Sequence, residues 1–120
     1  MSIGIKHDQG KPDYTHIPKQ AMDAMGEALT YGAKKYSADN YREGLSVRRQ
    51  IAAALRHIYQ FLDEGDLDKE SGCKHIGSAL ASLSMAAYTV EEMPDFDDRY
   101  FKKREREINE LARNNGKINE

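Results

Sequence analysis

The sequence predicts an all-α protein, a small bundle of three core helices followed by a charged C-terminal helix. Two observations carry this. Apolar residues recur at three- and four-residue spacing in three separate stretches, the period of one helix face. In contrast, no stretch of strand length alternates apolar with polar residues, and the β-branched residues are scattered through the helical patterns. At 120 residues the chain is long enough for one hydrophobic core and too short for two ordinary domains.

The first stretch, Met1 to His16, holds Gly4, Gly10 and Pro12 among polar residues without an apolar period, and reads as an ordered loop or arm. Ile17, Ala21, Met25, Ala28 and Leu29 then fall at helical spacing. Pro18 suits a first turn, where its missing N–H would be unpaired in any case, so a helix is expected from Pro18 to Tyr36, weakened at Gly32. SADNYREG, residues 37–44, reads as a loop. Ser46 is the candidate N-cap of a second helix, whose apolar stripe is Ile51, Ala54, Leu55, Ile58 and Leu62 and which ends near Glu64 and Gly65.

GDLDKESG forms a polar connector, after which Ile76, Ala79, Leu80, Leu83, Ala87 and Val90 trace a third helix rich in small residues suited to close packing. Pro94 stops that helix. The remainder is a highly charged helix with only Phe96, Tyr100, Phe101, Ile108 and Leu111 to bury. The expected division is thus a helical domain with its N-terminal arm over 1–93 and a charged helical tail over 94–120. Three short helices bury limited area, so a homo-oligomer, dimer or tetramer, is expected.

Composition narrows the partners. Eighteen Lys and Arg against 20 Asp and Glu give a net charge of -2, with a pI near 6.1. This offers no general attraction to nucleic acid or to an anionic membrane. Cys73 is the one cysteine, which excludes an intramolecular disulfide and a four-cysteine zinc site. No apolar run reaches membrane-span length and MSIGIKHDQGKPDY lacks the apolar core of a signal peptide, so a soluble, cytoplasmic protein is expected.

Two clusters of opposite sign could carry chemistry. His57 and Glu64, seven residues apart, are rotated by only roughly 20° on one helix flank, away from the Ile51, Leu55 and Leu62 stripe. The connector adds Asp63, Asp66, Asp68 and Glu70, and His75 opens the third helix. Carboxylate oxygens suit Mg²⁺ or Mn²⁺, and imidazoles favour Mn²⁺. The same residues also fit an acidic surface turn beside two structural histidines.

The basic cluster comprises Lys34, Lys35, Arg42, Arg48, Arg49 and Arg56. Lysines at a helix C-terminus are favoured by the macrodipole alone. Arginines in a first helical turn are not, and their forked guanidinium groups point to a phosphate-bearing partner. Lys11 stands in KHDQGKPDY, which has the spacing of neither a Walker motif nor a dinucleotide fingerprint.

Four segments in order, KHDQGKPDYTHIP, LTYGAKKYSADNY, ALRHIYQFLDEGDLDKESGCKH and IGSALASL, give the chain a further property over roughly Lys6 to Tyr88. Here it resembles the dATP/dGTP diphosphohydrolases, MazZ-like proteins of bacteriophages and prophages. The resemblance implies a fold similar to the all-α MazG-type pyrophosphohydrolases. It also implies hydrolysis of a purine dNTP to monophosphate and pyrophosphate with Mg²⁺ or Mn²⁺, in the host cytoplasm if phage-encoded.

Carried onto this sequence, the resemblance assigns catalysis to His57, Glu64, Asp68 and His75, and metal binding to Glu64, Asp68, Glu70 and His75. Lys34, Lys35, Arg48 and Arg56 would neutralise the triphosphate, with Lys11 and Asn40 touching phosphate or base. The MazG-type pairing of ExxE with a later ExxD is absent from the second and third helices. Glu92 and Asp95 are separated by Pro94, Glu107 and Glu110 lie in the tail, and Glu64 and Gly65 stand in exchanged order relative to the GED expected of relatives. The alternative is a non-catalytic helical oligomer that binds a nucleotide or a protein.

Overall fold

The computed structural model describes residues 3–118; Met1, Ser2, Asn119 and Glu120, at the extremes of the expected arm and tail, lie outside them. Four helices follow the apolar periods: α1 Lys19–Lys35, α2 Val47–Asp63, α3 His75–Glu92 and α4 Tyr100–Ile118. The described residues include no β-strand, only an isolated bridge between Leu67 and Lys74. The all-α class is as the sequence predicts. Short 3₁₀ turns at Tyr14–His16, Asn40–Glu43 and Pro94–Phe96 were not expected from it.

Helix boundaries follow from local chemistry. Pro18 caps α1 in extended conformation, one position earlier than a first-turn proline. At the other end the Tyr36 N–H returns to the Gly32 carbonyl at 3.0 Å. Ser46 caps α2 as expected, its hydroxyl accepting the Arg49 N–H at 3.2 Å. Asp98 reinforces this cap from far along the chain: it accepts the Arg48 N–H at 2.9 Å and the Ser46 hydroxyl proton. A carboxylate there also complements the positive end of the helix dipole.

The helix α3 is central, packing on both α1 and α2. It runs antiparallel to α2, since Gln50 donates to Thr89 Oγ1 at 3.2 Å while His57 meets His75 at the opposite end. Small residues permit the close approach. Gly77, Ala79, Ala81, Ser82 and Ala86 are buried on α3, facing Ala24 of α1 and Val47, Gln50 and Ala54 of α2. The turn at Asn40–Glu43 is held onto α3 by an edge-to-face contact of Tyr41 with Tyr88 at 5.2 Å, with Arg42 stacked over both rings. Gly44, at φ 115°, passes beneath the Phe96 ring, which occupies the place of a side chain.

The expected apolar stripe of α2 is only partly inside. Ala54 is buried, but Leu55, Ile58 and Leu62 are exposed. The reason lies in α3, whose small residues draw in the neighbouring face of α2, Val47, Gln50 and Ala54, and leave the large side chains outside. Ile76 and Leu83 of α3 are exposed as well.

The tail is tied to the bundle through Asp98 at the α2 cap. Beside it Asp97 is fully buried and receives Arg99 through two bonds at 2.8 and 2.7 Å, and Arg106 reaches back to the Pro94 carbonyl. Beyond that α4 projects with Tyr100, Phe101, Ile108 and Leu111 exposed. The radius of gyration is 20.0 Å, against about 14 Å for a compact domain of this length. No described helix is long and apolar enough to cross a membrane.

Candidate active site

The connector between α2 and α3 folds into a tight loop whose geometry follows from Asp68. Its N–H donates to the Cys73 carbonyl at 2.8 Å, and its own carbonyl accepts the Gly72 N–H at 2.7 Å. Gly72 closes the loop at φ 73°, a left-handed conformation that favours glycine. The Asp68 carboxylate turns inward on the loop, accepting the Glu70 N–H at 3.3 Å and the Ser71 hydroxyl at 3.1 Å. The His75 N–H donates to the Asp66 carbonyl at 2.8 Å, which fixes where α3 begins.

This loop sets His75 against His57. Their Nδ1 atoms lie 3.0 Å apart, with the rings tilted at 41°. His75 is 2% exposed, and His57 is half-buried. Burial lowers the His57 pKa, reinforced by His75 and Arg56 and opposed by Asp68. Partial burial pushes the Asp68 carboxyl up, but the hydrogen bonds from Glu70 and Ser71 and the two nearby imidazoles outweigh it, and the net shift is downward. Asp68 is thus an ionised carboxylate beside an imidazole pair.

Glu70 turns away from this pair to Lys35 at the end of α1, with Nζ to Oε1 at 2.7 Å. That bond, helped by Tyr36, raises the Lys35 pKa to about 12. The Lys35 ammonium also lies 5.4 Å from the Tyr36 ring centre. A row of polar groups therefore runs from Tyr36 through Lys35 and Glu70 to Asp68, whose charge acts through space on His57 and His75.

The remaining candidates are dispersed. Glu64 is the exposed C-cap of α2 and does not join the imidazole contact. Lys34 lines a shallow cleft beside Ser71 and Cys73. Arg48 lies at the far end of α2, at the Asp98 cap, whereas the exposed Arg56 adjoins His57. Lys11 is exposed in a turn closed by its N–H to the Asp8 carbonyl at 3.0 Å. Asn40 is half-buried at the start of its 3₁₀ turn and lines a cleft against α1 and α3. Among the described residues no three His, Cys, Asp or Glu side chains gather into a set able to hold a metal ion.

Sequence reasoning overlooked Ser71 and Tyr36. Ser71 could have been found, since Asp and Ser side chains in a polar connector commonly bond backbone two residues on, as Ser71 does to the Cys73 N–H. Nothing local marks Tyr36, whose place depends on the Lys35 to Glu70 contact.

The fold and the site define a small all-α protein with a row of ammonium, carboxylate and imidazole groups along one side of a helix pair. A family model described as dATP/dGTP diphosphohydrolase, N-terminal, matches residues 2–99, and the chain belongs to that family. A protein of Salmonella phage PMBT28 described as a dATP/dGTP diphosphohydrolase is 31% identical over 96 residues, 80% of this chain and 33% of the relative. The chain thus matches about a third of the length of that curated relative. No solved structure matches the chain.

Proposed function

We propose that this chain hydrolyses purine deoxynucleoside triphosphates, dGTP or dATP, to the monophosphate and pyrophosphate. The observation that carries the reading is the His57 to His75 contact beside an ionised Asp68, in a member of this family. With both rings neutral, a hydrogen bond between two Nδ1 atoms needs one proton. If His57 donates it, His57 Nε2 keeps its lone pair and serves as general base. Water then loses a proton to His57 Nε2 as its oxygen bonds the α-phosphorus, and the bond to the bridging oxygen breaks to release pyrophosphate. His75, buried and fixed by the connector, orients the base.

Mg²⁺ or Mn²⁺ enters this reading together with the substrate. Mg²⁺ is typically held by one or two carboxylates plus substrate phosphates and not by a protein cage, which suits a chain whose described residues form no three-ligand set. Asp68 would hold it together with the substrate phosphates, and the bound ion would neutralise phosphate charge. Lys35, Lys34 and Arg56 add cationic groups on the same part of the bundle, whereas Arg48 and Lys11 require a longer reach or a neighbouring subunit.

That neighbour is a second copy of this chain. The chain exposes 9796 Å², whereas a compact monomer of this mass exposes about 6,600 Å². Part of that excess belongs to the projecting α4, and the apolar groups left outside on α2 and α3 are what point to a partner. The exposed row of Leu55, Ile58 and Leu62 on α2, with Ile76 and Leu83 on α3, is the face that the second copy covers.

The test is to incubate the pure protein with dGTP and Mg²⁺ or Mn²⁺ and follow the products. dGMP and pyrophosphate are expected. Release of orthophosphate in place of pyrophosphate would overturn the reaction, and binding without turnover would leave a non-catalytic nucleotide-binding module.

A further inference from the structure

A half-enclosed cleft of about 300 Å³ lies between the second half of α1, the Asn40–Glu43 turn and the middle of α3. Leu29, Gly32, Ala81 and Met85 make its apolar walls, and Tyr36 and Asn40 stand among its polar lining. Gly32 matters to its width, since the space where its side chain would begin is open. The volume sits at the lower end of small-molecule pockets, about 300–1,000 Å³. It suits a single flat heterocycle, and a helix or a lipid chain would need a longer groove.

The geometry points to this cleft as the site of the purine base of the substrate, an inference that rests on the hydrolase reading above. Apolar walls match the faces of a base, and the Asn40 amide, with two donors and an acceptor, can meet a purine edge as asparagine meets adenine N6 and N7. The cleft also adjoins the polar row. Tyr36 at its rim lies under Lys35, which bonds Glu70 at 2.7 Å, whose N–H in turn bonds Asp68. A triphosphate leaving the cleft at Tyr36 would pass over the Lys35 ammonium toward Asp68 and the imidazole pair.

The experiment is an amide chemical-shift titration of the full chain with deoxyguanosine, deoxyadenosine and inorganic tripolyphosphate, repeated on Gly32→Leu. Both nucleosides should shift the amides of Gly32, Tyr36, Asn40 and Ala81, and tripolyphosphate those of Lys35 and Glu70. Leucine is a better helix former than glycine, so the variant should fold. It should bind nucleosides at least about tenfold more weakly, the scale of a changed apolar contact in a pocket, with tripolyphosphate binding unchanged. Nucleoside shifts elsewhere, no nucleoside shifts, or unaltered nucleoside binding by Gly32→Leu would each overturn the cleft assignment. Turnover of dGTP with unaltered KM in Gly32→Leu would overturn the cleft and leave the hydrolase standing. Nucleoside binding in the cleft without turnover would do the reverse.

Discussion

His57 and His75, eighteen residues apart in the chain, meet through their Nδ1 atoms at 3.0 Å across the α2 and α3 interface. Such a contact selects a tautomer, and the proposed mechanism needs His57 as the Nδ1 donor. Long-range proton–nitrogen correlation spectra should show His57 protonated at Nδ1 and bare at Nε2. Replacing His57 with Ala should lower kcat for dGTP by about 10²–10⁴-fold, the usual worth of a positioned general base. His75→Ala should lower kcat less and disturb the His57 tautomer. Full activity in both variants, or a His57 ring protonated at Nε2, would remove the role.

The Lys35 to Glu70 pair joins α1 to the connector on an exposed surface. Exposed ion pairs contribute little to stability, so Lys35→Ala should barely move Tm. If Lys35 meets the triphosphate, the same variant should raise KM for dGTP several-fold, with the effect fading as salt screens the charge. A large fall in Tm with unchanged KM would make the pair a structural clamp.

Gly77 of α3 lies against the backbone carbonyl of Ala24 on α1, with no room for a methyl group between them. Helix propensity alone would make Gly→Ala stabilising by about 1 kcal/mol. At Gly77 the sign should reverse, at a cost of about 1–3 kcal/mol from overpacking, or about 4–8 °C in Tm for each kcal/mol. Gly26, where an added Cβ meets nothing within 4 Å, is the matched control and should stabilise as Ala. Thermal melts of the two variants in opposite directions would establish the contact.

Such contacts mark the limit of what the sequence makes legible. Helix existence and order follow from the apolar period, and Ser46 is recognisable as a cap because its hydroxyl acts within its own turn. Which face of α2 turns inward is different, because it depends on how closely α3 approaches, and that is set by glycine and alanine on another helix. The acidic connector and its histidines stand out as residue types. Their sorting, with Asp68 beside the imidazoles and Glu70 drawn to Lys35, is decided by a loop hydrogen-bonded across Asp68 and Cys73. The Asn40 cleft requires three separate segments and has no local signature.

The outward stripe of α2 bears on assembly. Sedimentation equilibrium should find a dimer or tetramer, and Leu55→Glu or Leu62→Glu, at exposed positions, should shift it toward monomer. In a monomer these substitutions would be nearly neutral, because neither side chain is enclosed. Charge in an apolar interface is strongly unfavourable by contrast. A parent chain that sediments as a monomer at all concentrations would end this reading.

Acid stability should report on Asp97, the buried carboxylate at the start of the tail. Its bonds to Arg99, opposed by burial, hold the carboxyl below its ordinary value of 3.8. A carboxyl lowered on folding contributes stability that is complete above the unfolded value and is lost as pH falls through the folded one. The contribution is therefore present at pH 7 and begins to fade below about pH 4. Its size is on the order of 1 kcal/mol, held down because Arg99 is part-exposed and screened by solvent. Asp97→Asn should be less stable than the parent at pH 7, and the gap should narrow on acidification below pH 4. Asp98, lowered in the same direction while capping α2, should leave a residual acid dependence in that variant, so denaturant midpoints are best compared with those of Asp98→Asn. A gap that persists unchanged at pH 3 would show that Asp97 acts through its shape and not its charge.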